Sequence, residues 1–130
     1  RDPERDGVLA ACGRTGTAFV PYFPLESGVL TGKYRRGESF PEGTRLASMG
    51  DRAERFAGDD RLETVEQLGE FAAGSGHTVL DLAIGWLVTN PLVTSVICGA
   101  TRPEQVRANV DAAGWRLSDT ELAQVATILP

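Results

Sequence analysis

One histidine and two cysteines are the only imidazole and thiol ligands in these 130 residues. His77 stands alone between Gly76 and Thr78, and neither Cys12 nor Cys98 has a ligand at metal-binding spacing, so no metal site is expected. Two cysteines are too few for a disulfide framework. Each lies among apolar neighbours, which predicts buried thiols in a reducing, cytoplasmic compartment. No apolar run approaches the roughly 18 residues needed to span a bilayer. Positive charge is also short. A formal net charge of −5 gives neither nucleic acid nor an anionic membrane anything to attract. The opening "RDPERDG" is charged throughout, lacks the apolar stretch of a signal peptide and does not begin with Met, so an internal cut is expected there.

The composition is that of an ordinary soluble globular segment, and 1–130 is taken as a single one, with no repeat or low-complexity tract. Val8, Leu9, Ala11 and Cys12 mark the apolar side of a short helix ended by the Gly13–Gly16 region. "TAFVPYF" (17–23) predicts a strand, with Pro21 implying a bulge or an end of pairing. A long irregular stretch from Pro24 to about Gly58 follows. Its Val29, Leu30, Phe40 and Leu46 predict that it packs, since loops of this length are functional or disordered. Leu62, Val65, Leu68 and Ala72 have helical spacing, closed by "GSG" (74–76). Thr78-x-x-Asp81 caps a helix through Leu82, Ala83, Trp86 and Leu87, and Pro91 forces a turn. Thr94–Cys98 predicts a buried strand. Thr101-x-x-Glu104, with Pro103 in the first turn, and Ser118-x-x-Glu121 open two further helices. Strands separated by helices imply parallel pairing and an α/β fold. Two short strands make a poor sheet, so the chain reads as part of something larger.

Two stretches carry chemistry. In "SVICGATRPEQVRANV" (95–110) a strand delivers its carboxyl end to a helix start, where unpaired backbone N–H groups favour an anion. Gly99 admits close approach, and Arg102 offers a planar charged fork suited to phosphate oxygens. Thr101, Gln105 and Asn109 follow at four-residue intervals along one face, within reach of a flat heteroaromatic group. Val106 and Val110 form a neighbouring stripe expected to hold the helix to the sheet. The pattern fits a phosphate plus adenine. It equally fits a capped helix whose polar side is merely solvated.

The second stretch is "PYFPLESGVLTGKY" (21–34). Gly28, Gly32 and Lys33 look like a P-loop, but three residues separate the glycines instead of four, and Tyr34 replaces the magnesium-binding Ser/Thr. What remains is Tyr22, able to stack on a planar ring, then Ser27 and a glycine turn, then Lys33 as counter-charge. A half-buried strand tyrosine and a solvated lysine are the plainer readings.

Together, "VPYFPLESGVLTGKYRRG" and "SVICGATRPEQVRAN" strongly resemble the C-terminal portion of the aldo-keto reductases, as do "LAIGWLVTNPLVTSVI" between them and Arg45 in "PEGTRL". The resemblance implies a (β/α)₈ TIM barrel that binds NADP(H), with this chain as its last two strand–helix units, incomplete on its own. It makes 17–23 strand seven and 94–98 strand eight, in accord with the rule that barrel phosphate sites follow strands seven and eight. Carried over by position, Tyr22 stacks on the nicotinamide, and Phe23, Leu25 and Ser27 line the path to the pyrophosphate. Lys33 and Arg45 meet phosphate or the adenine side. Gly99, Thr101 and Arg102 hold the 2′-phosphate, and Gln105 and Asn109 the adenine end. Two positions depart from the family. Ala108 replaces a frequent Glu, and Glu26 stands where a small residue is usual, where its charge should weaken binding unless it turns away.

The resemblance also implies an absence. The family's Asp, Tyr, Lys and His, which move the proton as hydride reaches a carbonyl substrate, belong to the first half of the barrel, and none maps here. No catalytic residue is assigned, and the N-terminal half of the barrel is the implied partner. A non-enzymatic NADP(H)-binding regulatory subunit or sensor of the same fold is the alternative, and a helical adaptor without cofactor is a third reading.

Overall fold

Apolar residues repeating at helical spacing dominate this sequence, and helices dominate the structure. The computed structural model describes residues 3–130. Arg1 and Asp2, part of the charged opening stretch, lie outside the described residues. The helices are α1 (Val8–Thr15), α2 (Glu54–Ala57), α3 (Asp59–Gly74), α4 (Val79–Thr89), α5 (Pro103–Ala112) and α6 (Asp119–Ile128). Two 3₁₀ stretches, Glu26–Thr31 and Ala47–Ala53, interrupt the long segment between α1 and α2.

The expected stripe of Leu62, Val65, Leu68 and Ala72 is buried on α3. Against it lie Val79 and Leu82 of α4, Val125 of α6, and three residues of the preceding loop: Val29, Tyr34 and Leu46. The loop therefore packs, as its apolar content predicted. Leu46 is fully buried, which removes a whole leucine side chain from water and stabilises by about 1.5–3 kcal/mol. Its backbone N–H donates to the Tyr34 hydroxyl oxygen at 3.4 Å, and the Tyr34 ring meets Phe40 edge-on at 5.5 Å. A loop sealed into a core must satisfy its own polar groups, and Tyr34 does this from the inside.

The two predicted strands are not formed. Residues 17–23 and 94–98 meet at one parallel bridge, Phe19 to Val93, where the Thr94 N–H donates to the Phe19 carbonyl at 2.9 Å. The ladder stops there because Pro21 has no N–H to donate and, among the described residues, neither segment has a second neighbour to pair with. Val106 and Val110 accordingly do not hold α5 to a sheet. They are 52% and 67% exposed and border an open groove of about 360 Å³ shared with Ile84, Val88 and Val96.

Both predicted caps around α4 and α6 are formed. Asp81 Oδ2 accepts from the Thr78 N–H and hydroxyl, each at 2.8 Å, and Glu121 Oε2 accepts from the same groups of Ser118 at 2.7 Å. The start of α5 is one residue later than predicted. Residues before proline avoid the helical region, so Arg102 (φ −143°, ψ 148°) becomes the cap and Gln105, not Glu104, the third helical residue. The first helix ends within the expected Gly13–Gly16 region, at Thr15, with Gly16 in the left-handed region. His77 is not simply solvated. Its ring stacks on Trp115 with centroids 4.1 Å apart, and its Nδ1 lies 3.8 Å from Asp81. The two thiols are half-buried rather than buried, and burial pushes the Cys98 thiol up.

Gly85 explains how α4 meets the α5–α6 connection. A Cβ there would lie 2.6 Å from the Trp115 carbonyl oxygen and 3.2 Å from Leu117 Cδ1. Alanine in place of a mid-helix glycine normally stabilises by about 1 kcal/mol. Here the obstacle is backbone, so Gly85→Ala is expected to destabilise by about 1–3 kcal/mol, read as a lower denaturant midpoint. An unchanged midpoint would remove the close approach. A pH effect arises at α6. Hydrogen bonds from the Ser118 backbone and side chain, with help from the Trp115 indole and His77, hold the Glu121 carboxyl below its ordinary value. A lowered folded-state value makes this stabilisation complete above the ordinary glutamate range, about pH 4.3, and lost as pH falls through the lowered value. The melting difference between the protein and its Glu121→Gln variant should narrow steadily on acidification. A difference independent of pH would show that the charge contributes nothing.

Candidate functional site

The turn after Pro24 is built from backbone that glycine adopts easily and other residues do not. Phe23 (φ 55°), Glu26 (φ 44°) and Ser27 (φ 60°) have positive φ, followed by Gly28 (φ 90°) and Gly32 (φ 73°). Each non-glycine residue there costs on the order of 1–3 kcal/mol and persists only where the surroundings impose it. Hydrogen bonds impose it here. The Phe23 carbonyl accepts from the Glu26 N–H at 3.1 Å, and the Leu25 carbonyl accepts from Gly28 at 2.8 Å and Leu30 at 3.3 Å. Val29, buried in the core, anchors the far side.

This turn gathers several of the residues singled out in the sequence. Tyr22 presents an open ring, 84% exposed, with its centroid 4.2 Å from that of Phe23. It is not the half-buried strand tyrosine of the plainer reading. The Arg45 guanidinium lies 5.4 Å over the Phe23 ring, so the separate "PEGTRL" stretch returns to the same place. Lys33 folds back. Its Nζ would sit 2.9 Å from a Cβ on Gly28, so the ammonium lies against the glycine whose φ of 90° a side chain would strain. Leu25 is half-buried beside the turn. Ser27 is buried, and its hydroxyl has no hydrogen-bond partner. A buried hydroxyl without a partner costs desolvation that folding alone does not return.

The second stretch forms an exposed helix start. Gly99, Thr101 and Arg102 are exposed. Gln105 Oε1 accepts from the Thr101 N–H at 2.8 Å, the Thr101 hydroxyl at 3.2 Å and the Arg102 N–H at 3.2 Å. The Gln105 oxygen is thus committed to shaping the turn, and the Arg102 side chain has no ion-pair partner among the described residues. Asn109, one helical turn on, is half-buried at the groove beside Cys98 and Val106. The parallel bridge at Phe19 and Val93 sets both chain segments running the same way. They therefore carry Tyr22 and Gly99 toward the same end of the pairing.

Sequence reasoning missed a contact of the turn itself. Glu26, expected to oppose an anion, pairs with Arg61 on α3 at 2.9 Å. No spacing rule links residues 35 positions apart. Among the described residues no cluster of three metal-ligating groups occurs, and no single helix is long and apolar enough to cross a membrane.

A family model described as the aldo/keto reductase family matches residues 1–130. The chain belongs to the aldo/keto reductase family. It is 41% identical over 120 residues to a putative voltage-gated potassium channel subunit beta of Schizosaccharomyces pombe, an alignment that covers 88% of this chain and 34% of that one. It is 32% identical over 127 residues to an L-glyceraldehyde 3-phosphate reductase of Escherichia coli, covering 94% and 36%. An NADH-specific methylglyoxal reductase of the same species is 33% identical over 114 residues, covering 88% and 34%. The glycerol dehydrogenase of Gluconobacter oxydans matches in structure with a TM-score of 0.79 and 27% identity, over 99% of this chain and 38% of that one. The chain spans about a third of the length of these relatives, and its helices match part of an aldo/keto reductase barrel.

The Ser27 hydroxyl supplies a test that needs no ligand. Ser27→Ala removes a buried polar group that has no partner, so the melting temperature should stay level or rise, with a gain of up to about 1 kcal/mol. A clear fall would mean that the hydroxyl is satisfied within the fold.

Proposed function

We propose that this chain is the cofactor-binding part, the last two strand–helix units, of an NADP(H)-dependent aldo/keto reductase, whose whole length reduces aldehydes or ketones to alcohols. The observation that carries the reading is the strained turn itself. An unpartnered Ser27 hydroxyl is buried at its centre, the Lys33 ammonium folds over Gly28, and the Arg45 guanidinium lies over Phe23. Backbone strain of this kind collects at ligand clamps, and two cations beside an orphan hydroxyl suit a diphosphate.

The residues fit the cofactor in parts. Tyr22 offers an open ring for the nicotinamide to stack upon, with Phe23 and Leu25 beside it. Ser27 and Lys33 donate to the diphosphate, and Arg45 adds charge. Gly99, Thr101 and Arg102 form the end that receives the 2′-phosphate, with Asn109 and the Gln105 amide toward adenine. The cofactor, when bound, supplies the hydride. Nothing in this chain supplies the proton. Tyr34 is sealed in the core with its hydroxyl engaged by Leu46, and His77 is stacked on Trp115. A donor must reach the reacting oxygen, so the acid comes from the N-terminal half of the barrel.

That half also accounts for the apolar surface. Ile97 and Val110 are more than two-thirds exposed, and a groove of about 620 Å³ runs past Leu9, Phe19, Pro21, Leu82 and Trp86. Surfaces of this kind are covered in stable proteins. The remaining strands of a barrel are the cover the fold provides. Small carbonyl compounds are the substrate class, and the cytoplasm is the compartment in which Cys12 and Cys98 stay reduced.

A second reading has its own support. The identity to the fission-yeast channel subunit exceeds that to either reductase, which favours an NADP(H)-binding regulatory subunit with the same site and no turnover. NADPH oxidation by the whole protein with an aldehyde separates the two. NADP(H) over NAD(H) rests on Arg102, since one relative is NADH-specific by name. In a fluorescence titration, Arg102→Ala should weaken NADPH about tenfold or more and NADH by less than about twofold, the loss of one charge-assisted phosphate contact. Equal losses for both would remove the 2′-phosphate assignment.

A further inference from the structure

We infer that Arg61 is a positioning residue for the anion-binding turn: it fixes the Glu26 carboxylate on α3 and cancels a negative charge beside the cofactor's diphosphate. The inference rests on the cofactor reading above. Glu26 occupies a left-handed position (φ 44°) immediately before Ser27, the acidic residue next in the chain to the turn that carries Ser27 and Lys33. Its Oε1 lies 2.9 Å from Arg61 Nη1. A second point on the same loop is tied further along the same helix. Arg36 reaches Glu63 and Glu66, each at 3.4 Å, and its N–H donates to Glu66 Oε1 at 3.5 Å. Thus α3 holds the first part of the loop through charge at two points.

Both partners are substantially exposed, with 58% of the Arg61 side chain and 38% of the Glu26 side chain accessible. Exposed pairs add little to stability. The consequence of this one is electrostatic. An anionic ligand at Ser27 and Lys33 meets a neutral pair instead of a lone carboxylate. Removing Arg61 restores the repulsion, and removing the Glu26 charge leaves an uncompensated cation that attracts the ligand.

The test is a charge cycle in the whole protein, read as the Kd for NADPH at low salt. Arg61→Ala should raise Kd about fivefold, the size of one like-charge contact a few ångströms away at a wet surface. Glu26→Gln should lower Kd by about twofold or more, and the double variant should return close to the parent. The spread should shrink in high salt, which screens exposed charges. Arg61→Lys should bind as the parent does. A double variant as weak as Arg61→Ala would mean that the arginine acts through folding, and would overturn the inference. So would a Glu26→Gln variant that binds no more tightly than the parent, a result that stands even if Arg61→Ala melts too early to titrate. Failure of the unsubstituted protein to bind NADPH is a different outcome and removes the cofactor reading beneath it.

Discussion

Burial of the loop after Pro24 against α3 is the constraint on which the rest depends. A segment of more than thirty residues without a long helix would ordinarily lie on the surface, because its backbone polar groups need water. Here Val29, Tyr34 and Leu46 carry it into the core, and the price is local strain. Phe23, Glu26 and Ser27 take left-handed backbone because the chain must reverse between an open aromatic pair and a buried valine. The same reversal puts a hydroxyl where the protein cannot satisfy it. Packing and site are one event.

The second half of the site is set by a covalent ring rather than by packing. Pro103 excludes helical backbone from the residue before it, so Arg102 stays extended and α5 begins behind it. Gln105 then folds back to bind the two backbone N–H groups that the proline start leaves open. Arg102 has no acceptor atom and cannot cap a helix with its own side chain. Its guanidinium is left outward, a permanent charge on a rigid helix start. That division of labour favours recognition over stability: the neutral amide does the structural work and the cation does none of it.

Much of this was legible in the sequence, and the parts that were not share a cause. The stripe on α3 and the caps at Thr78 and Ser118 are local patterns, fixed within one or two turns of chain, and the structure keeps them. The two strands also looked local, being rich in β-forming residues. A strand is completed by its neighbours, however, and within the described residues each segment has one partner and one bridge. Val106 and Val110 went wrong for the same reason, since they were assigned to a sheet that is not formed here. The candidate site residues lie in order along two motifs, which is why the sequence alone could propose them. The partner that neutralises Glu26 could not, because Arg61 is joined to it by the packing of α3 alone.

The site proposed here would hold its ligand by groups that take no part in proton transfer. Tyr22, Ser27, Lys33, Arg45 and Arg102 are aromatic, neutral or permanently cationic at neutral pH, and none is placed to give up a proton to a carbonyl. Loss of an acid elsewhere in a barrel would leave this end chemically untouched. Relatives of this chain include two proteins named as reductases and one named as a putative channel subunit, and a separable cofactor end, as proposed, would allow that divergence. Under the proposed reading, the strained turn and the extended arginine serve binding alone, whether a dinucleotide is consumed or only sensed.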